Sequence, residues 1–367
     1  MNSFFTEKRV LVTGACGTVG RELVRQLIEV YEVGEMIAID NNESELFFLE
    51  QRFSKYPTVS FYLADVRDSE KLSRKMESIH VVFHAAAFKH VILCERSPFE
   101  AVQTNILGVQ NVIKGAFENQ VERVIFTSSD KAVNPTSVMG TSKLMGERLM
   151  TAANSNYRKG STTFASTRFG NVLGSRGSVI PIFREQIRRG GPVTLTDMDM
   201  TRFIMSINEA VRLVIESAYI ALGGEVFITK MPVIRIKDLA EVMIDELASS
   251  FGHKPTDIKV EIIGTKPGEK MYEELMNQEE TRRALELKRY FVVRPAFDCR
   301  YHKINYKYAD IENETVANPY NSNNEKPLSK NQLAIFLKEN DLLEEDVKAF
   351  QHPAERHWPN GNCMHST

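Results

Sequence analysis

Apolar residues in the first half of the chain come in short runs. Arg9 to Thr13, Glu35 to Ile39, Val59 to Leu63, Val81 to Ala85 and Val121 to Thr127 are each bounded by glycine or polar residues. Runs of this length predict strands, and the helical patterns between them predict crossover helices. Their alternation predicts an α/β fold, a Rossmann-type doubly wound parallel sheet. After Asn171 glycines and prolines are denser and the elements shorter, which predicts a smaller lobe interleaved with the first rather than a domain on a linker. The expected division is residues 1–170 as the sheet-bearing domain with later segments interleaved, 171–310 as the smaller lobe, and 311–367 as a C-terminal extension. An amphipathic helix is expected near Lys330 to Glu339, and weak order from His352 to Thr367.

Composition narrows the function classes. A chain of 367 residues with 43% apolar content can bury a large core, and a net charge of −2 gives no basic excess for nucleic acid. The first residues lack the apolar stretch of a signal peptide and no later run is long enough to span a bilayer, so a soluble cytoplasmic protein with no membrane or nucleic-acid partner is expected. Cys16, Cys94, Cys299 and Cys363 are scattered without metal-ligand spacing, which favours free thiols.

The first strand runs into Gly14-Ala15-Cys16-Gly17-Thr18-Val19-Gly20. Gly14 would make the tight turn, Gly17 would leave room for a pyrophosphate, and Gly20 would let the next helix pack closely. The N–H groups of that helix would face an anion. The G-x-x-G-x-x-G spacing alone also fits an ordinary turn. The second strand, however, ends in Asp40, about 20 residues past the last glycine, where an adenosine ribose needs a partner. A carboxylate there accepts from a free 2′-hydroxyl and repels a 2′-phosphate, and Asn41-Asn42-Glu43 adds no arginine, which predicts NAD over NADP. After the third strand, Asp65 and Val66 could meet an adenine. Asp65 reads equally well as the cap of a helix starting near Ser69. Ala85 and Ala86, after the fourth strand, are small enough to run along a cofactor.

The fifth strand is followed by Ser128-Ser129-Asp130-Lys131-Ala132 and then Met139-Gly140-Thr141-Ser142-Lys143. In these motifs the chain resembles an extended short-chain dehydrogenase/reductase, and within it the nucleotide-sugar 4,6-dehydratases acting on N-acetylglucosamine sugars. Most of that superfamily carries Tyr-x-x-x-Lys; here Lys143 is present and Met139 occupies the tyrosine position. A subset of the dehydratases is similar in having both the methionine and Asp-Lys-Ala. The resemblance covers roughly residues 7 to 310 and implies three steps in one site: oxidation at sugar C4, loss of water across C5 and C6, and reduction at C6.

By the same resemblance Asp130 is the acid, Lys131 the C5 base, and Lys143 the residue that holds the nicotinamide ribose. Methionine cannot move a proton. Ser128, Ser129, a water, or Lys143 acting through a ribose hydroxyl could take the O4 proton, and the sequence does not choose among them. Lys131 must be neutral to act as a base, and burial beside Lys143 and a cationic nicotinamide would push its pKa down. The resemblance places Lys89 and His90 near the sugar, Asn171 and Arg176 in the diphosphate segment, and Thr194 and Thr196 along the nucleobase. Arg202 could fork onto phosphate, and Glu269 could accept from ribose hydroxyls.

Two apparent metal signals are discounted. His80 and His84 flank strand residues, so their four-residue spacing does not converge, and His352, Glu355, His357, Cys363 and His365 lie in the polar tail; no metal is expected. The reading is NAD-dependent 4,6-dehydration of UDP-N-acetylglucosamine with C5 configuration kept. A C5-inverting dehydratase, a GDP-linked substrate, a nucleotide-sugar epimerase and a non-enzymatic NAD sensor remain open. A homodimer through helices near Pro98 to Asn119 and Ser142 to Asn154 is expected, or a higher oligomer.

Overall fold

A computed structural model describes residues 2–156, 162–174, 179–264, 269–297 and 303–343. The five apolar runs form strands β1 (Arg9–Thr13), β2 (Glu35–Asp40), β3 (Val59–Leu63), β4 (Val81–His84) and β5 (Arg123–Thr127), and β6 is Thr163–Arg168. They assemble in the order β3-β2-β1-β4-β5-β6 and are extended by Val226–Thr229; every pair in this stretch is parallel. Three antiparallel strands, Tyr290–Val293, Ala284–Leu287 and Ile311–Asn313, complete a 10-stranded sheet. The fold is the α/β doubly wound sheet that the alternating pattern predicts.

Burial explains why the runs were continuous. All of β4 and the last four residues of β1 are buried, because helices cover both faces of the central strands. At the edge, β3 leaves Tyr62 and Leu63 exposed. The helix Thr18–Glu29 turns Leu23, Val24 and Leu27 into the core, the spacing of one helical face. In the register, Thr13 lies between Ile39 and His84, and Thr127 ends the next strand but one. The carboxyl ends of β1, β2, β4 and β5 therefore share one edge, the edge at which ligands of open parallel sheets bind.

The second lobe packs a separate apolar cluster, with Ile180, Phe183, Leu195, Ile234 and Leu239 among its members. Its strands are short: Val193–Leu195 pairs with Val260–Ile262, and Thr201–Met205 lies between Asn171–Val172 and Val233–Arg235. The chain leaves this lobe to supply strands to the main sheet and returns to it. The helix Lys330–Glu339 forms where its pattern predicts, with Ser329 and Gln332 capping each other across its first turn. Its Leu333 and Leu337 are buried in the second-lobe cluster. Residues 352–367 lie outside the described residues.

One buried network ties the lobes' frames together. Arg168, at the end of β6, is fully buried; it meets Glu147 of the helix Val138–Asn156 at 2.6 and 2.7 Å, Glu280 at 2.8 and 2.9 Å, and the Leu275 carbonyl at 3.0 Å. No described helix is long and apolar enough to cross a membrane.

Candidate active site

The glycine turn is shaped by contact. Gly14 has φ 69°, and a Cβ there would come within 2.6 Å of the Ala86 nitrogen. A Cβ on Gly20 would come within 2.0 Å of the Gly14 carbonyl oxygen, so helix and turn meet only because both positions are glycine. Gly17 is the N-cap of the following helix without a side-chain cap, and Gly17, Thr18, Val19 and Gly20 face a cavity of about 1000 Å³. A helix N-terminus with uncapped N–H groups at such a wall suits an anion.

Asp40 ends β2 with both oxygens in use: Oδ2 accepts from the Cys16 N–H at 2.9 Å and Oδ1 from the Asn42 N–H at 2.9 Å. It therefore braces the glycine turn, and each oxygen keeps a lone pair for a hydroxyl. Asp65 is not a helix cap. The helix Ser69–Lys75 is capped by Asp68, whose side chain accepts from the Lys71 N–H. Asp65 instead holds the Arg67 guanidinium at 2.7 Å and accepts from Asn41, and these hydrogen bonds keep its carboxyl at about 2. Val66 is buried against Gly108. Asp40, Asp65, Val66 and Ala86 stand outside the cavity lining, whereas Ala85 is part of it.

The turn after β5 carries the candidate acid and base. Ser129 caps a single 3-10 turn, Asp130–Ala132, through the Lys131 N–H, and its hydroxyl donates to Asp130 Oδ1 at 2.6 Å. Lys131 Nζ lies 3.0 Å from Asp130 Oδ2, and both line the cavity. Burial works against the charge on Lys131, but Asp130 and Glu273 outweigh it and raise its pKa above the ordinary lysine value. The net downward shift expected from burial and Lys143 is absent, because Asp130 and Glu273 outweigh both burial and the opposing charge of Arg202.

Lys143 shows that downward shift instead. It is buried, donates to the Thr127 carbonyl at 2.9 Å, lies 4.8 Å from the Phe126 ring centre, and burial takes it down to about 8. His84 is fully buried beneath it, with Nδ1 2.7 Å from the Thr13 hydroxyl; burial and the Lys143 charge hold it neutral, down to about 3. Met139 is buried against Cys94 and Ala101 and lines the cavity. The Ser128 hydroxyl and His84 Nε2 are buried without a hydrogen-bond partner, and Ser128 lines the cavity. Among the described serines, Ser128 is thus the one with an unpartnered buried hydroxyl at the cavity wall.

From the other side come Lys89, His90, Asn171, Thr194, Thr196, Arg202 and Glu269, all lining the same cavity. Arg176 lies outside the described residues. Several of these side chains are already engaged. Gln186 accepts from the Thr194 N–H at 3.1 Å and donates to its hydroxyl at 2.8 Å. Arg202 donates to the carbonyls of Thr201, Lys270 and Met271 and to Met200 Sδ, and its Nε lies 3.4 Å from Glu273. A phosphate reaching Arg202 would have to exchange with these bonds. Among the described residues no cluster could hold a metal ion.

Residues 10–295 match the polysaccharide biosynthesis protein family. The chain belongs to that family. It is 49% identical over 343 residues to a Methanocaldococcus jannaschii protein named as an uncharacterized membrane protein, covering 94% of this chain and 99% of that one. It is 35% identical over 346 residues to a Campylobacter jejuni UDP-N-acetylglucosamine 4,6-dehydratase (inverting), covering 93% and 97%. To a Rickettsia akari UDP-glucose 4-epimerase it is 35% identical over 350 residues, covering 94% and 99%. Among solved structures, Pen from Bacillus thuringiensis superposes with a TM-score of 0.85 at 42% identity, covering 93% of this chain and 100% of that one.

This member of the family also has site-building residues to which the sequence reading gave no role, although Asn105 stood, with Thr104, among the stretches supporting a nucleotide-sugar site. Gly140, beside Met139, seats its helix on the Asp130–Lys131 turn: a Cβ there would come within 2.3 Å of the Lys131 carbonyl. Its adjacency to the tyrosine position was the available signal. Asn105, in a π-helical turn at Gln103–Leu107, clamps the Lys89 loop by exchanging hydrogen bonds with the Phe88 backbone at 2.8 and 2.9 Å, and it donates to Ser142 at 2.9 Å. Glu273 is buried behind Asn171 and Arg202, and no local pattern marked it.

Proposed function

We propose that this protein is an NAD-dependent 4,6-dehydratase of UDP-N-acetylglucosamine, yielding the 4-keto-6-deoxy sugar with C5 configuration kept, for bacterial-type glycan or polysaccharide synthesis. The observation that carries this reading is the Asp130–Lys131 pair at the wall of the cavity that also contains Lys143 and the uncapped glycine turn. The turn fits a diphosphate, Asp40 a ribose, and Lys143 the second ribose. When bound there, NAD would accept hydride from C4 and return it to C6.

The chain's own residues would do the rest. The resting ion pair already holds the one proton the chemistry needs. Moving it across the 3.0 Å contact from Lys131 to Asp130 turns a cation and an anion into a neutral amine and a neutral acid with no net proton change. Excluding water favours that neutral pair, since burial penalises both charges. Neutral Lys131 would take the C5 proton, which the C4 ketone makes acidic, while Asp130 protonates the departing C6 hydroxyl. Lys131, whose N–H protons exchange with water, would then protonate C5 as C6 is reduced, and the proton released from O4 would restore the Lys131–Asp130 pair, so one water is lost overall. Met139 offers no second acid on the opposite face, so one base both removing and returning the proton keeps the configuration. Ser128, with its unpartnered hydroxyl at the cavity wall, would relay the O4 proton.

The similarity to a UDP-glucose 4-epimerase favours a second reading, C4 inversion without loss of water. The variant Lys131→Met separates the two. For a dehydratase it should still oxidise C4, so reduced nicotinamide accumulates, while loss of water falls by about 10²–10⁴-fold. An epimerase would keep full turnover in that variant.

A further inference from the structure

We propose that Glu273 is a positioning residue that joins the Asp130–Lys131 pair to the Asn171–Arg202 pair, so that charge arriving at one is felt at the other. Its side chain is buried, yet it is not part of the cavity wall. Oε1 accepts from Asn171 Nδ2 at 2.7 Å and lies 3.4 Å from Arg202 Nε, while Oε2 accepts from the Phe203 N–H at 3.0 Å. The backbone is pinned as well: its N–H donates to the Ser322 hydroxyl at 2.9 Å and its carbonyl accepts from the Ser322 N–H at 2.8 Å. A carboxylate so enclosed is strongly disfavoured unless paired.

The charged groups acting on it come from three elements. Asp130 and Lys131 act on it from the turn after β5, which packs against the strand Glu274–Met276 that follows Glu273, and Arg202 acts from the strand Thr201–Met205. On its own segment, Glu269 faces Arg202 at 3.8 Å, and Lys270 bonds the Val133 carbonyl at 2.8 Å and Glu274 at 3.6 Å. Lys131 and Arg202 balance Asp130 and Glu273. Burial and the Asp130 charge push the Glu273 carboxyl up to about 7, so it would change charge near neutrality. Negative charge on Glu273 keeps the Lys131 proton in place. A dianion drawn to Asn171 and Arg202 would favour a proton on Glu273, and the hold on the Lys131 proton would then weaken. That Asn171 and Arg202 meet phosphate rests on the proposed function; the effect on Lys131 does not.

The test is competitive acetylation of the full chain, reading Lys131 by mass spectrometry, with UDP binding measured in parallel. In Glu273→Gln, Lys131 should label about tenfold faster at neutral pH, and UDP should bind several-fold more tightly above pH 7, because the amide matches the uncharged acid that a bound dianion favours. Glu273→Asp, which keeps the charge, should restore slow labelling. In the unaltered protein the labelling profile should bend near pH 7, a readout that survives even if Glu273→Gln fails to fold. Unchanged Lys131 labelling, or a profile without the bend, would overturn the electrostatic link. UDP affinity that is unchanged or weaker above pH 7 would overturn the coupling of Glu273 to Asn171 and Arg202. Absence of UDP binding by the unaltered protein would remove the phosphate assignment along with the proposed function, while the lysine result would still decide the link.

Discussion

Met139 and Lys131 show how far single residues carry the argument. Methionine at the tyrosine position was plain in the sequence, and its consequence, that another group must move the proton, needed no structure. The protonation of Lys131 was not legible, because it depends on Glu273, which lies 142 residues away in the chain and arrives only through tertiary packing. Two acids precede Ser69, and the choice of Asp68 over Asp65 as cap is likewise made by backbone geometry. His84 offers a prediction at this scale. Its folded pKa is depressed to about 3, so between the ordinary histidine value of 6.5 and that point the unfolded chain binds a proton that the folded protein does not. Stability should therefore fall as pH falls through that window, by about 1.4 kcal/mol per unit from this group. Denaturant titrations of His84→Gln at several pH values should show a shallower loss.

The elements divide by how strongly local pattern decides them. The central strands β1, β4 and β5 were readable because burial on both faces leaves little room for polar residues, whereas the edge strand β3 was readable only as an apolar run. The second-lobe strands, two to five residues long, carry no such periodicity. The helix Val138–Asn156 is held from two sides, by Gly140 against the Asp130–Ala132 turn and by Glu147 against Arg168. Gly140→Ala would force a Cβ into the Lys131 carbonyl, so turnover should fall at least about tenfold while the fold persists, a combination that kinetics with circular dichroism would reveal. Arg168→Met should act oppositely. It leaves two buried carboxylates unpaired and should cost about 3–5 kcal/mol in denaturant unfolding.

At the scale of the molecule, one sheet edge gathers the glycine turn, Asp40, His84 and the Ser128–Lys131 turn, and the second lobe closes the cavity with Asn171, Thr194, Arg202 and Glu269. The alternating pattern foretold the edge. The interlocking of the lobes, with strands of the main sheet returning from beyond residue 225, depends on pairings that no local signal encodes. Membership in the polysaccharide biosynthesis protein family agrees with this arrangement, although relatives of equal similarity are named for two different reactions.

The measurement that bears most directly on the proposed reaction is incubation of the protein with UDP-N-acetylglucosamine in deuterated water, followed by mass spectrometry and NMR. The predicted product has lost one water, carries one deuterium at C5, and shows ring couplings of the unchanged C5 configuration. A product with water retained and C4 inverted, or an unchanged sugar with NAD bound, would contradict it.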